Sequence, residues 1–190
     1  MYRVRFFTVT CDDGTNVAAF RLTLFLLLRT FIDIIALRKG PDSVPASSLV
    51  LAIALVMMGV SSYVATMLIG RDAERDYAMT FLGYGLGILF YAAIILISGR
   101  ARRILQSITS IIGCGSVITV FFAAGFVVCE PLMGREGAAV VATLILLWSV
   151  PVEGHIIARA IDQHWFVGVA IAMTAFVLQY VLQSGPAPAQ

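Results

Sequence analysis

Most of the side chains able to do chemistry in this apolar chain fall in one short stretch: Trp148, Pro151, Glu153, His155, Arg159, Asp162, His164 and Trp165. Trp148, Val152, His155, Arg159 and Asp162 follow one another in steps of 4, 3, 4 and 3 residues, which on a helix makes one stripe. That spacing predicts a charge ladder of His155, Arg159 and Asp162, facing the bundle or the inner interface. Glu153 lies about 200° round the helix from His155, so the two cannot chelate one metal from the same helix. The sequence has neither an HExxH string nor a paired-carboxylate spacing, and no metal or cofactor site is expected. Pro151 removes the hydrogen bond to the Leu147 carbonyl and is expected to kink its helix. An intramembrane carboxylate beside a kink is where a proton relay or a solute contact would sit, with Glu153 as the titrating group. The alternative is that Glu153 snorkels to the inner boundary and pairs with Arg100, Arg102 or Arg103.

A second group consists of small and aromatic residues. Gly83 and Gly87 stand in GxxxG spacing, and Ser107, Ser110, Gly113, Gly115 and Ser116 follow in the next apolar run. Small residues let helix backbones approach closely. Gly83, Gly87, Gly113 and Gly115 are therefore candidate helix-packing positions, either between these two runs of one chain or as an oligomer seam. Tyr84 and Tyr91 are seven residues apart and share a face, where they line a cavity or pack with satisfied hydroxyls. The string Gly113-Cys114-Gly115-Ser116 has no base at hand for a nucleophile, so no catalytic residue is expected. Cys11, Cys114 and Cys129 are spread along the membrane normal and are expected to remain separate thiols.

The elements that must carry these residues follow from composition. The chain has 190 residues, is 60% hydrophobic and only 13% charged, and has a mean hydropathy of +0.95. That excludes a soluble globular enzyme and a disordered tail. A net charge of +2 provides no field that would recruit nucleic acid. A span needs about 20 apolar residues, and the uncharged runs 48–69, 79–98, 104–128 and 166–182 qualify. A fifth run, 138–152, measures only about 22 Å as a helix. It must continue to about residue 158, bringing Glu153 and His155 inside the apolar boundary.

The segment 18–38 reads differently. Phe20, Leu24, Leu27, Leu28, Phe31, Ile34 and Ile35 fall within about 120° of one another, opposite Arg21, Arg29 and Asp33. The pattern predicts an amphipathic interfacial helix with Arg29 and Asp33 pairing along its exposed side. Gly40-Pro41 then stops it and a linker leads to residue 48. Residues 1–47 thus form a cytoplasmic segment, 48–183 a five-helix membrane bundle and 184–190 a short tail, with no cleavable signal expected. With five spans the inside holds Arg3, Arg5, Arg21, Arg29, Arg38, Lys39, Arg100, Arg102, Arg103 and Arg159, and the outside only Arg71, Arg75 and Arg135. The positive-inside rule therefore sets the N-terminus in and the C-terminus out, in a bacterial inner membrane. Arg38, Lys39, Arg100, Arg102 and Arg103 make an inner-face basic collar suited to anionic lipid.

The five closely spaced spans, the cytoplasmic N-terminal region, the Gly40-Pro41 step and the glycine-rich second and third spans together resemble the Yip1-domain family over roughly residues 20–183. The resemblance implies an all-α polytopic membrane protein, with no activity and no functional residues to transfer. The expectation is a non-enzymatic scaffold or accessory subunit, working through helix packing or membrane organisation with lipids, further copies of itself or another membrane protein. The alternative is a small proton- or ion-coupled permease centred on Glu153, His155 and Arg159.

Overall fold

The computed structural model describes residues 13–69 and 77–183, and side chains over 21–69 and 82–181. Cys11, the loop with Arg71 and Arg75, and the 184–190 tail lie outside the described residues. Among those described the protein is all-helical. The elements are α1 (Asp13–Ile35), α2 (Ser48–Ile69), α3 (Tyr77–Ile97), α4 (Ile104–Leu147), α5 (Ser149–Ile161) and α6 (Trp165–Gln183). Short 3-10 turns at Pro41–Ser43 and Ala101–Arg103 precede α2 and α4. The 48–69 run forms a helix over the full expected length, and the runs at 79–98 and 166–182 do so within two residues at either end. Two helical stretches are long and apolar enough to cross a membrane, Ser48–Ile69 and Ala101–Ile161, while Leu82–Ile97 and Trp165–Val181 are shorter apolar helices.

The expected loop between residues 128 and 138 is absent. The chain stays helical through Pro131, and Gly134 alone departs from helical geometry, with φ 75° and ψ 172°. This region of backbone space is open essentially to glycine. Gly134 folds α4 back on itself: Phe126 packs with Ala138 and Ala142, and a methyl on Gly125 would lie 2.6 Å from Ile145 Cδ1. On a straight helix residues 125 and 145 would be about 30 Å apart, so α4 is two antiparallel arms, 104–133 and 135–147. The returning arm breaks at Trp148, three residues before Pro151, and resumes as α5. The kink expected of Pro151 is thus relieved one turn upstream, where the proline ring would meet the preceding backbone.

The first arm of α4 is the central column, with α2, α5, α1 and α3 packed around it, and α5 lies along α6. Three of its buried hydroxyls return to their own helix, Thr109 to the Leu105 carbonyl (2.6 Å), Ser110 to that of Gln106 (2.8 Å) and Ser116 to that of Gly113 (2.8 Å), which lets a polar stripe be buried, while the equally buried Ser107 hydroxyl meets no hydrogen-bond partner. Leu27, Phe31 and Ile34 of α1 are buried in the core formed with α4 and α5, so the apolar face expected to lie in the membrane interface packs on the protein, while Leu22, Phe25, Leu26 and Ile32 of the same helix are exposed. The Cys114 thiol lies 3.7 Å from the Phe31 carbonyl. The ion pair differs from expectation. Leu37 takes a left-handed conformation (φ 59°) and turns the chain back, so Asp33 pairs with Lys39 at 2.7 Å and not with Arg29.

Candidate functional site

A cavity of about 230 Å³ lies between α3, α4, α5 and α6, with Met58 of α2 at its edge. Its polar lining is Tyr84, Tyr91, Thr119, Ser149, Gln179 and Tyr180, together with the carboxylate of Glu153. Ile111, Ile112, Ile118, Leu146 and Phe176 supply the apolar wall. Among the lining residues Glu153 is the one charged group.

Each helix presents its residues here for a local reason. On α3, Tyr84, Gly87 and Tyr91 recur at spacings of three and four and so share a face. Gly87 leaves room for Gln179, because a methyl there would collide with the Gln179 amide nitrogen. On α4, Gly115 has no atom within 4 Å of the place a methyl would occupy, so it opens onto the cavity. On α5, Ser149 and Glu153 are four residues apart and face the same way. The Tyr91 hydroxyl donates to Glu153 Oε2 at 2.5 Å. Tyr91 itself is fully buried and Glu153 partly so, which makes this a charge-assisted hydrogen bond away from bulk water.

The structure redistributes the predicted cluster. Glu153 meets Tyr91 and makes no ion pair with Arg100, Arg102 or Arg103. Trp148, Val152, His155 and Arg159 do share one face, but that face turns to α1 and its linker. Trp148 Nε1 donates to the Ile35 carbonyl (3.2 Å), His155 Nε2 meets the Lys39 carbonyl (3.2 Å), and the Arg159 side chain passes over Gly40. No charge ladder forms, because Asp162 leaves the helix in a left-handed conformation (φ 51°, ψ 46°) and turns to the collar. There it accepts from Arg100 and Arg103, the latter at 2.9 Å. Arg103 also donates to the Arg159 carbonyl at 2.9 Å, capping the end of α5. The hydrogen bond from Arg103 and the charges of Arg100 and Arg103 hold the Asp162 carboxyl below the usual carboxylate range, and Lys39 does the same to Asp33. Within the collar Arg38 and Arg102 stay exposed.

The packing glycines are also reassigned. Gly113 receives the ring of Phe31 from α1, Gly87 receives Gln179 from α6, and Gly115 meets nothing, so these positions do not form a seam between α3 and α4. Gly83 is buried. The tightest seam joins α5 to α6, where a methyl on Gly154 would lie 2.7 Å from Val169 Cα and one on Gly168 would run into the Gly154 carbonyl. Its signal is present in the sequence as Gly154 with Ala158 and Gly168 with Ala172, each pair four apart. Gln179, Ser149 and Thr119 likewise carried a signal, as polar groups inside apolar runs.

Fold and site together define an all-helical protein with helices able to cross a membrane and an acidic cavity among them. In comparison with known proteins, the chain matches no family model, no curated protein and no solved structure.

Proposed function

We propose that this chain is a multi-pass membrane protein whose central cavity takes up a small solute and passes it across the bilayer, with Glu153 as the coupling group. The observation that carries this reading is a carboxylate hydrogen-bonded to a buried tyrosine on the wall of a cavity inside a helix bundle. An ionisable group in such a place is expensive to keep out of water and marks a pathway or a binding site. The five passes are α2, α3, the outgoing arm of α4, its return arm continued by α5, and α6. The collar arginines lie on the inner side, in an inner membrane of bacterial type. The outward surface supports this, since Leu49, Val56, Leu82, Leu89, Val177 and Val181 are exposed, as lipid-facing residues are. The five-pass arrangement keeps the likeness to Yip1-domain architecture within the same proposal, and no catalytic step is assigned.

The test is charge movement in proteoliposomes on rapid addition of amines, amino acids, sugars or carboxylates, recorded on a supported membrane. At least one class should evoke a current, which both Glu153→Gln and the cavity-filling Gly115→Leu abolish while expression holds. No current above empty liposomes, or currents that survive both substitutions, would refute the reading. One observation favours the scaffold reading as a second role. Gly85 is exposed on α3 between the exposed Leu82 and Leu89, and a methyl there would meet nothing within 4 Å. A shift in particle mass with Gly85→Leu would place an assembly seam on that face.

A further inference from the structure

The cavity's chemistry narrows what it can hold, and resting on the solute-binding reading above we infer that its ligand is a small organic cation, an amine or quaternary ammonium with a short apolar body. The charge count comes first. Glu153 is the one ionisable acid of the lining, and no arginine, lysine or histidine shares the cavity with it. His155, the nearest histidine in sequence, is turned away to the Lys39 carbonyl, and Arg100 and Arg103 are held at Asp162. An anion entering would meet a carboxylate with no compensating cation, a like-charge contact in a medium of low dielectric constant. A cation would supply the counter-charge that Glu153 lacks.

The polar groups around Glu153 point the same way. The Tyr91 hydroxyl spends its proton on Glu153 Oε2, which leaves its oxygen lone pairs as acceptors. The Thr119 hydroxyl donates to the Gly115 carbonyl at 2.8 Å and is likewise left as an acceptor. Tyr91 and Thr119 therefore offer acceptors to a ligand that brings its own N–H or N–CH donors, while Ser149 and the Gln179 amide complete the polar lining. The apolar part of the wall includes Phe176, Ile111 and Leu146, suited to a short hydrocarbon or ring.

The experiment is equilibrium binding to the purified full chain in lipid nanodiscs, using three probes of matched size: 2-phenylethylamine, 2-phenylethanol and phenylacetate. The amine should bind at ~1 mM or tighter, with the alcohol and the acid at least ~10-fold weaker. Tyr91→Phe should weaken the amine several-fold, and Glu153→Gln roughly 10- to 100-fold, while the alcohol is little affected by either. Gly115→Leu, which fills the cavity without touching the carboxylate, should remove binding of the amine and so locate it. Equal binding of alcohol and amine would overturn the cation inference and leave the cavity a solute site. Preference for phenylacetate would do the same. Amine binding indifferent to both Glu153→Gln and Gly115→Leu would overturn it too, as would a current evoked only by sugars or carboxylates in the proteoliposome assay. No binding by any probe would overturn it whether or not Glu153-dependent currents were found, and those currents alone would decide the transport reading.

Discussion

Gly154→Ala tests whether the α5–α6 seam sets the position of the cavity wall. The added methyl would lie 2.7 Å from both the Cα and the backbone nitrogen of Val169. Ordinary carbon contacts are about 3.5–4.0 Å, so the two helices must part by about 1 Å. The obstacle is backbone and cannot rotate aside, which places the substitution toward the upper part of the ~1–3 kcal/mol range for overpacking. Helix propensity works in the other direction, since replacing glycine by alanine within a helix returns up to about 1 kcal/mol. The net loss is about 2 kcal/mol. For a chain of this size that lowers the thermal midpoint by about 4–8 °C.

The control is Gly85→Ala, also within a helix but with nothing within 4 Å of the new methyl. It keeps the propensity gain without the clash and should raise the midpoint by about 2 °C. Thermal unfolding of both variants in one detergent, followed by exposure of buried thiol at Cys114, measures the difference. If Gly154→Ala matches Gly85→Ala, the seam is not close-packed and Glu153, one residue away, is not positioned by it.

Asp162→Asn keeps a residue that tolerates the left-handed turn while removing the charge that Arg103 and Arg100 hold. Because that pairing depresses the Asp162 carboxyl below its ordinary 3.8, its stabilisation is present above that value and is lost as pH falls through the depressed one. Wild type should therefore lose more thermal stability between pH 6 and pH 2 than Asp162→Asn, and equal losses would show that the Asp162 pairing does not contribute to stability. An impermeant maleimide should reach the half-buried Cys129 from outside intact cells, whereas the buried Cys114 should react only after unfolding. Labelling of Cys129 solely in inverted vesicles would reverse the orientation.

The apolar helices were legible because a charge-free run of the right length has few alternatives, and α2 forms over the full run 48–69. The turn at Gly134 was not. Its neighbours Glu130, Pro131, Arg135 and Glu136 have the composition of a loop, and that one glycine conformation replaces the loop is a backbone choice that composition does not encode. Glu153 and Tyr91 were each visible as candidates, but their 2.5 Å hydrogen bond joins residues 62 apart in sequence. Nothing in the period of either helix sets their meeting. It depends on α3 and α5 both packing against α4 and α6.

The apolar run that leads into α5 is too short to cross a membrane alone, and the packing of α5 explains how it carries Glu153 and His155 inside a bundle of apolar helices. Successive residues on a helix point about 100° apart, and three in a row take three different neighbours. Glu153 faces Tyr91 and the cavity, Gly154 faces Val169 of α6, and His155 faces the Lys39 carbonyl of the linker. Between them Val152, Ile156, Ile157 and Ala160 are fully buried in the core. Of the residues from Ser149 to Ile161, Arg159 is the one that stays exposed, at the collar end. The hydrophobicity a lipid-facing helix would need is therefore not required of α5, and its polar residues are solvated by protein.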